Sequence, residues 1–243
     1  MPTKYSTVKL FYTLLISLIF FASSSTCFSA PKFFRTLGLQ IEASELYYSL
    51  NGKDVPIQIR RSARSQFYEL KPSSLSRETD KGEFLVFYLL RKNEDGKEVR
   101  VPVAKADVAN AGNWALIAFH KAAKDDDTRL IASALSDDVS RFPAPDIRFF
   151  NLTNETLLLN FDESKSAIPA NQSTTMKPSL NSDSAEIKPV YIGIKTQKNI
   201  ELVYSNNWVV RPNIRTLVLI FPLNGTFHFE RVVEDVGAYM TPL

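Results

Sequence analysis

Few residues in this chain can move a proton near neutral pH: 243 residues hold two histidines, His120 and His228. Histidine is the side chain whose ordinary pKa suits that work. Each one, however, sits inside an alternating run, "AFHKA" or "FHFER", which assigns it to a strand surface or a cross-strand pair. The sequence has no Gly-x-Ser-x-Gly elbow, no phosphate-cradling Gly-rich loop and no His-Glu-x-x-His pair. Asp125-Asp126-Asp127 offers oxygen ligands to a hard cation such as calcium, but such ligands are commonly spaced at alternate positions. Three adjacent carboxylates at a hairpin tip read as a solvated turn. A glycosidase uses two carboxylates, and nothing singles out a pair among the 26 acids. The expectation is a non-enzymatic protein with no cofactor and no metal site.

Binding chemistry has better candidates. Two Asn-Trp pairs occur, in "NAGNWALIAFHK" (110–121) and "SNNWVVRP" (205–212), and an exposed Trp114 or Trp208 would stack on a sugar ring or a peptide. The bland reading puts each indole at the end of a core with its N–H bonded to a nearby carbonyl, since apolar residues follow both directly. In the tandem pairs Tyr47-Tyr48 and Phe149-Phe150 the two rings fall on opposite sheet faces, so one ring of each must meet solvent, a neighbouring module or a partner. Trp114, Trp208, Phe149 and Tyr48 are therefore the candidate partner-binding residues. Arg60, Arg61 and Arg64 in "IRRSAR" could contact an anion, with a solvated strand end as the simpler account.

The elements that would carry these residues read as strands, with apolar residues at a period near two or in short runs rich in Val, Ile, Phe and Tyr. Asn51-Gly52 between "ELYYSL" (45–50) and "VPIQIR" (55–60) is the strongest short hairpin signal. Further hairpins are predicted for 83–91 with 98–104 and for 114–120 with 129–135. Strands then follow at 147–153, 156–161, 189–195, 200–205, 216–222 and 226–233, the last two joined at Asn224-Gly225. The stretch 162–186, dominated by Ser, Asn, Pro and Thr, reads as a long loop or as short edge strands between turns.

Lys-Pro-Ser recurs at 71–73 and 177–179, and Asn-Trp at 113–114 and 207–208, in the same order along each half. This suggests one module used twice. Pro143 and Pro145 deny ladder hydrogen bonds and mark the boundary, giving β-sandwich modules over 36–143 and 146–236.

The first 29 residues look like an address. Lys4 and Lys9 precede an apolar run from Leu10 to Ala22, then a small polar stretch ending at Ser29-Ala30. That is the layout of a cleaved signal peptide, and the run is short for a membrane span. Removing it also removes Cys27, leaving a secreted chain with no disulfide. A cysteine-free exported protein of this size fits a bacterial envelope better than an animal secretion. Cys27 as a lipid-carrying residue is the alternative, although Ser24-Ser25-Thr26 lack the usual lipobox residues. The segment holds two of the 29 basic residues and none of the 26 acids, leaving 27 against 26. That balance speaks against nucleic acid as a partner, and the mature chain shows no stretch for stable membrane insertion. The sequons at Asn151, Asn154, Asn171 and Asn224 read in a bacterium as polar turns.

The combination "IRFFNLT…TLLLNF…MKPS" over about 147–180 resembles a module of uncharacterised secreted bacterial proteins, in which a strand ending in Asn-Leu-Ser/Thr opens an immunoglobulin-like β-sandwich. The resemblance implies that fold and an envelope location, and carries over no catalytic residue. The sequence thus predicts an all-β protein, two tandem immunoglobulin-like sandwiches with separate cores, periplasmic or secreted, binding or scaffolding an envelope protein. A carbohydrate-binding protein using exposed aromatics, and a hydrolase with a carboxylate pair, are the alternatives.

Overall fold

The computed structural model describes residues 33–41, 45–59, 66–78, 82–121, 130–196, 199–223 and 225–236. The signal segment, Arg60, Arg61, Arg64, the Asp125–Asp127 run and the sequon at Asn224 lie outside them. The chain is all-β. Its first half holds β1 (Phe33–Gly38), β2 (Leu46–Leu50), β3 (Lys53–Ile57), β4 (Tyr68–Glu69) and β5 (Leu75–Glu78). These are followed by β6 (Gly82–Lys92), β7 (Glu98–Asp107), β8 (Trp114–Lys121) and β9 (Leu130–Ser136). The second half holds β10 (Ile147–Asn151), β11 (Leu157–Phe161), β12 (Ser164–Ile168) and β13 (Ser173–Met176). It ends with β14 (Glu186–Lys195), β15 (Ile200–Val210), β16 (Ile214–Leu223) and β17 (Thr226–Asp235).

The predicted hairpins form. Asn51 and Gly52 turn β2 into β3 with φ of 53° and 79°, the left-handed geometry that Asn and Gly tolerate best. Asp162 does the same at the β11–β12 tip with φ of 54°. The polar stretch 162–186 is thus edge structure, with β12 and β13 at sheet margins. The strand expected over 200–205 continues to Val210.

Four sheets result. In the first half β4-β1-β8-β9 lies over β3-β2-β6-β5, with β7 also paired to β6; in the second, β13-β10-β16-β17 lies over β12-β11-β14-β15. Each half opens with a strand that pairs in parallel with a late one, β1 with β8 and β10 with β16. Hairpin signals cannot reveal such pairs, because they connect residues 81 apart in register in the first half, Phe33 with Trp114, and 69 apart in the second, Ile147 with Thr216.

The sequence predicts two cores; among the described residues there are three. One centres on Phe34, Tyr48, Phe87 and Phe119, and another on Phe149, Phe161, Val190 and Trp208. The third joins the halves: Leu37, Leu116, Ala118 and Phe142 pack with Leu217, Leu219, Phe221 and Val232. Sheets β4-β1-β8-β9 and β13-β10-β16-β17 therefore meet through the faces that simple alternation assigns to water. Two of their central strands, β8 and β16, carry apolar runs that face both sides, as strands covered twice tend to. Most residues of β8 and β16 are buried without alternation.

Charge is buried in this joint. Arg35 donates to Asp137 through Nε at 2.6 Å and Nη2 at 2.9 Å, and to Glu234 through Nη1. Arg215, 1 % exposed, donates to Asp137 Oδ1 and Glu234 Oε2, both at 2.7 Å, and to the carbonyls of Asp137 and Phe142, both at 3.2 Å. The Phe142 ring meets two guanidinium groups, Arg148 at 4.4 Å and Arg215 at 5.0 Å. Arg148 also donates to the carbonyls of Ser136 and Arg141, so the connecting segment is held from the second half. Two cations and two anions satisfy one another, which burial of any one alone would not allow.

The network makes stability acid-sensitive. Burial pushes the Glu234 carboxyl up, but Arg35 and then Arg215 override it and hold it below the ordinary 4.5. A depressed carboxyl stabilises fully above its unfolded value and loses that contribution as pH falls through the folded one. Urea midpoints are therefore expected to hold above pH 4.5 and to fall below it. Glu234→Gln is expected to start lower at neutral pH and to lose less on acidification.

Candidate interaction surface

The candidate aromatics separate by position. Tyr48, Phe149 and Trp208 are buried at 1 %, 0 % and 3 % exposure, so their rings offer no open face for a ligand. Tyr48 donates its hydroxyl to the Glu69 carbonyl at 2.8 Å, and burial pushes its phenol up to about 12. Trp208 stacks on Phe149 with centroids 5.6 Å apart, and its indole N–H donates to the Tyr204 hydroxyl at 3.0 Å, a hydroxyl in place of the expected carbonyl. Trp114 is half-buried, stacked on Phe33 at 4.8 Å with Phe67 edge-on at 5.1 Å. The structure brings Phe149 and Trp208 together in one core and leaves Tyr48 and Trp114 elsewhere.

The Asn-Leu-Thr element has a structural task. The Asn151 carboxamide donates to the carbonyls of Glu155, Ile168 and Pro169 at 2.7, 3.0 and 3.1 Å, and accepts from the Thr153 amide and hydroxyl. One short polar side chain thereby ties the end of β10 to the end of β12, with its amide nitrogen fully engaged.

Both histidines sit in cross-strand positions. His120 faces Ile131 and His228 faces Phe221, whose ring it meets at 5.9 Å. Burial pushes the His120 imidazole below its ordinary value.

Carboxylates gather at a cavity of about 240 Å³ beside the second Lys-Pro-Ser, lined by Asp162, Glu163, Lys177 and Lys188 among others. Lys188 Nζ donates to Asp162 at 3.0 Å and to Glu186 at 3.1 Å. The Asn181 backbone N–H, then Lys188, hold the Glu186 carboxyl below its ordinary value. Such a carboxylate is a poor proton donor at neutral pH, and the arrangement suits fixing a lysine more than acid catalysis. Among the described residues no group of three His, Cys, Asp or Glu could hold a metal ion.

The exposed apolar surface lies elsewhere, on residues that sequence reading did not single out. Five of the eight large apolar side chains exposed among the described residues belong to β14 and β15: Ile187, Tyr191, Ile200, Leu202 and Val209. Val190 and Ile192 point into the core, so Ile187, Tyr191 and Gly193 occupy the outer face. Ile187 is paired with Val209, and Gly193 lies between Leu158 and Leu202 in one cross-sheet row.

That row contains a groove of about 500 Å³ lined by Leu158, Asn160, Lys165, Tyr191, Gly193 and Leu202, among others. Gly193 makes the floor because it has no side chain. A Cβ there would stand 2.8 Å from Ile200 Cγ2 and 2.9 Å from the Glu201 carbonyl oxygen, closer than such atoms pack. A register shift falls beside it, between Ile192 and Gly193, and brings the two strands close. The groove could accept apolar side chains from a partner, with Tyr191 supplying a ring and a hydroxyl at its edge. Ile187 at 69 % exposure and Leu202 at 58 % are beyond what isolated surface residues need explaining, because they share one face.

No protein-family model matches this chain, and no curated protein matches it. Among the described residues no helix is long and apolar enough to cross a membrane.

Proposed function

We propose that this chain is an exported, non-enzymatic binding or scaffolding protein of a bacterial envelope, whose protein partner docks on the apolar outer face of β11, β14 and β15. The observation that carries the reading is that exposed Tyr191, Ile200 and Leu202 line the Gly193 groove, with the exposed pair Ile187 and Val209 farther along the same face. Protein interfaces concentrate their energy in a few such anchors around a pocket.

The chain consists, in this reading, of two tandem immunoglobulin-like modules behind a cleaved signal peptide. In support, the path β4-β1-β8-β9 matches β13-β10-β16-β17, each with a parallel pair at the same place. The basic and apolar layout of residues 1–29 supports export, and the resemblance over 147–180 supports an envelope location. The joint between the modules suits scaffolding, because a fixed angle between two units positions whatever each one holds.

Tyr191→Glu and Leu202→Glu, each on an exposed site, are expected to leave the circular dichroism spectrum unchanged and to weaken partner binding by about tenfold or more. Binding that survives both substitutions would overturn the assignment of this face. The carbohydrate alternative rests on Trp114, the one candidate indole that is part-exposed. Glycan binding that survives Trp114→Ala would dispose of it.

A further inference from the structure

Edge strands invite pairing with other chains, and proteins blunt them with charge, proline, shortness or a cover. Most edges here are blunted. β4 and β13 are two and four residues long; β3 carries Lys53, Asp54 and Pro56; β7 carries Glu98, Arg100, Pro102 and Lys105; β17 carries Glu230, Arg231, Glu234 and Asp235. β9 is uncharged, but β7 packs against it and closes that side of the first half.

β15 differs. It runs eleven residues, has no proline, and has Glu201 as its one residue of the Asp, Glu, Lys and Arg set. Its counterpart across the sandwich, β17, does not close over it as β7 does over β9. The two are bridged by side chains, Tyr204 on Phe229 at 4.4 Å and Arg231 over Trp208 at 5.3 Å.

We propose that a second copy of this chain pairs antiparallel with β15, joining two β12-β11-β14-β15 sheets into one. The bulge decides the register. It puts Ile200 and Leu202 on the outer face before it, and Ser205, Asn207 and Val209 on the outer face after it. A two-fold axis at Ser205, which then faces its own copy, with Val203 left out of the new ladder as it is out of the ladder to β14, sets Ile200 of each copy against Val209 of the other, and Leu202 against Asn207, with outward residues meeting outward residues throughout.

On the inner face the same register sets Glu201 opposite Trp208 of the other copy, over which Arg231 lies. Neither Glu201 nor Arg231 makes an ion pair among the described residues, and both are exposed. The two-fold operation brings this acid and this base together twice, as an isologous contact requires. The charge match selects a copy of the chain as the occupant, because the acid and the base are both its own. The inference goes beyond the proposed partner face and does not need it; the Tyr191 groove stays open on the joined sheet.

The test uses the purified full-length chain, alone, in analytical ultracentrifugation. Wild type is expected to dimerise with concentration. Glu201→Arg is expected to weaken the dimer by about tenfold or more, and adding Arg231→Glu to restore it. In a Cys27→Ser background, Ile200→Cys with Val209→Cys is expected to give a disulfide-linked dimer on mild oxidation. Circular dichroism checks that each variant folds. A chain that stays monomeric, a dimer indifferent to Glu201→Arg, or a dimer that the cysteine pair fails to link would each overturn the proposal. Tyr191→Glu is expected to leave dimerisation intact, so failure of the partner face and failure of this edge read differently.

Discussion

Arg215→Ala is expected to lower the unfolding free energy by roughly 3–5 kcal/mol, read as a large fall in the urea midpoint at neutral pH. The size follows from what is left behind. Arg215 supplies bonds to Asp137 and Glu234, both buried, so its removal strands negative charge that water does not reach. Arg35 alone would have to compensate two carboxylates. Replacing Arg35, Asp137, Arg215 and Glu234 together by apolar residues of similar volume is expected to cost far less, since a buried network and a well-packed apolar patch are often close in stability. The comparison separates the cost of orphaned charge from the loss of packing at the joint. A mild effect of Arg215→Ala would mean that water enters between the halves and that the joint is loose.

Trp208→Ala is expected to cost about 3–5 kcal/mol, the range for emptying a large aromatic from a packed core. The indole lies on Phe149, meets Phe161 and Tyr204 at 6.4 and 6.0 Å, and has Arg231 over its ring. Its loss also removes the indole N–H bond to the Tyr204 hydroxyl, which keeps the Asn206 carboxamide as a donor at 3.3 Å. Trp208→Phe is expected to recover most of the packing but not that bond. Trp114→Ala, at a half-buried site with neighbours on two sides, is expected to cost less. The contrast between the two tryptophans in thermal or urea melts checks that Trp208 works as core.

Local chemistry made most of the strands readable. Asn51-Gly52 gave its hairpin because left-handed backbone at two successive positions is a property of those two residues. Alternation located the strands around Tyr48 and Phe149, where buried and half-buried residues take turns along the strand. It misled where both faces are covered. The runs "ALIAF" (115–119) and "LVLIF" (217–221) are apolar without interruption, which is the signature of a central strand between two layers, and they were the available signal for the third core.

The charge network had no such signal. Arg35 and Glu234 are 199 residues apart, and each alone resembles any surface charge on a strand. The groove was equally silent, because Gly193 reads as an isolated glycine in a strand until Leu158 and Leu202 are placed beside it. The Asn-Trp pairs and the tandem rings mark large aromatics, and of these the cores recruit Tyr48, Phe149 and Trp208. The exposed apolar residues turned out to be aliphatic for the most part, with Tyr191 the exception.

The central claim is that the outer face of β14 and β15 is where this protein meets its partner. The most direct test places a photo-crosslinking residue at Leu202, and as a control at Val99 on β7, exposed to 37 %, then irradiates the protein in its native compartment. The account expects one stoichiometric adduct from Leu202, lost when Tyr191→Glu is added, and no such adduct from Val99. The same adducts from both positions, or a Leu202 adduct that ignores Tyr191→Glu, would contradict it.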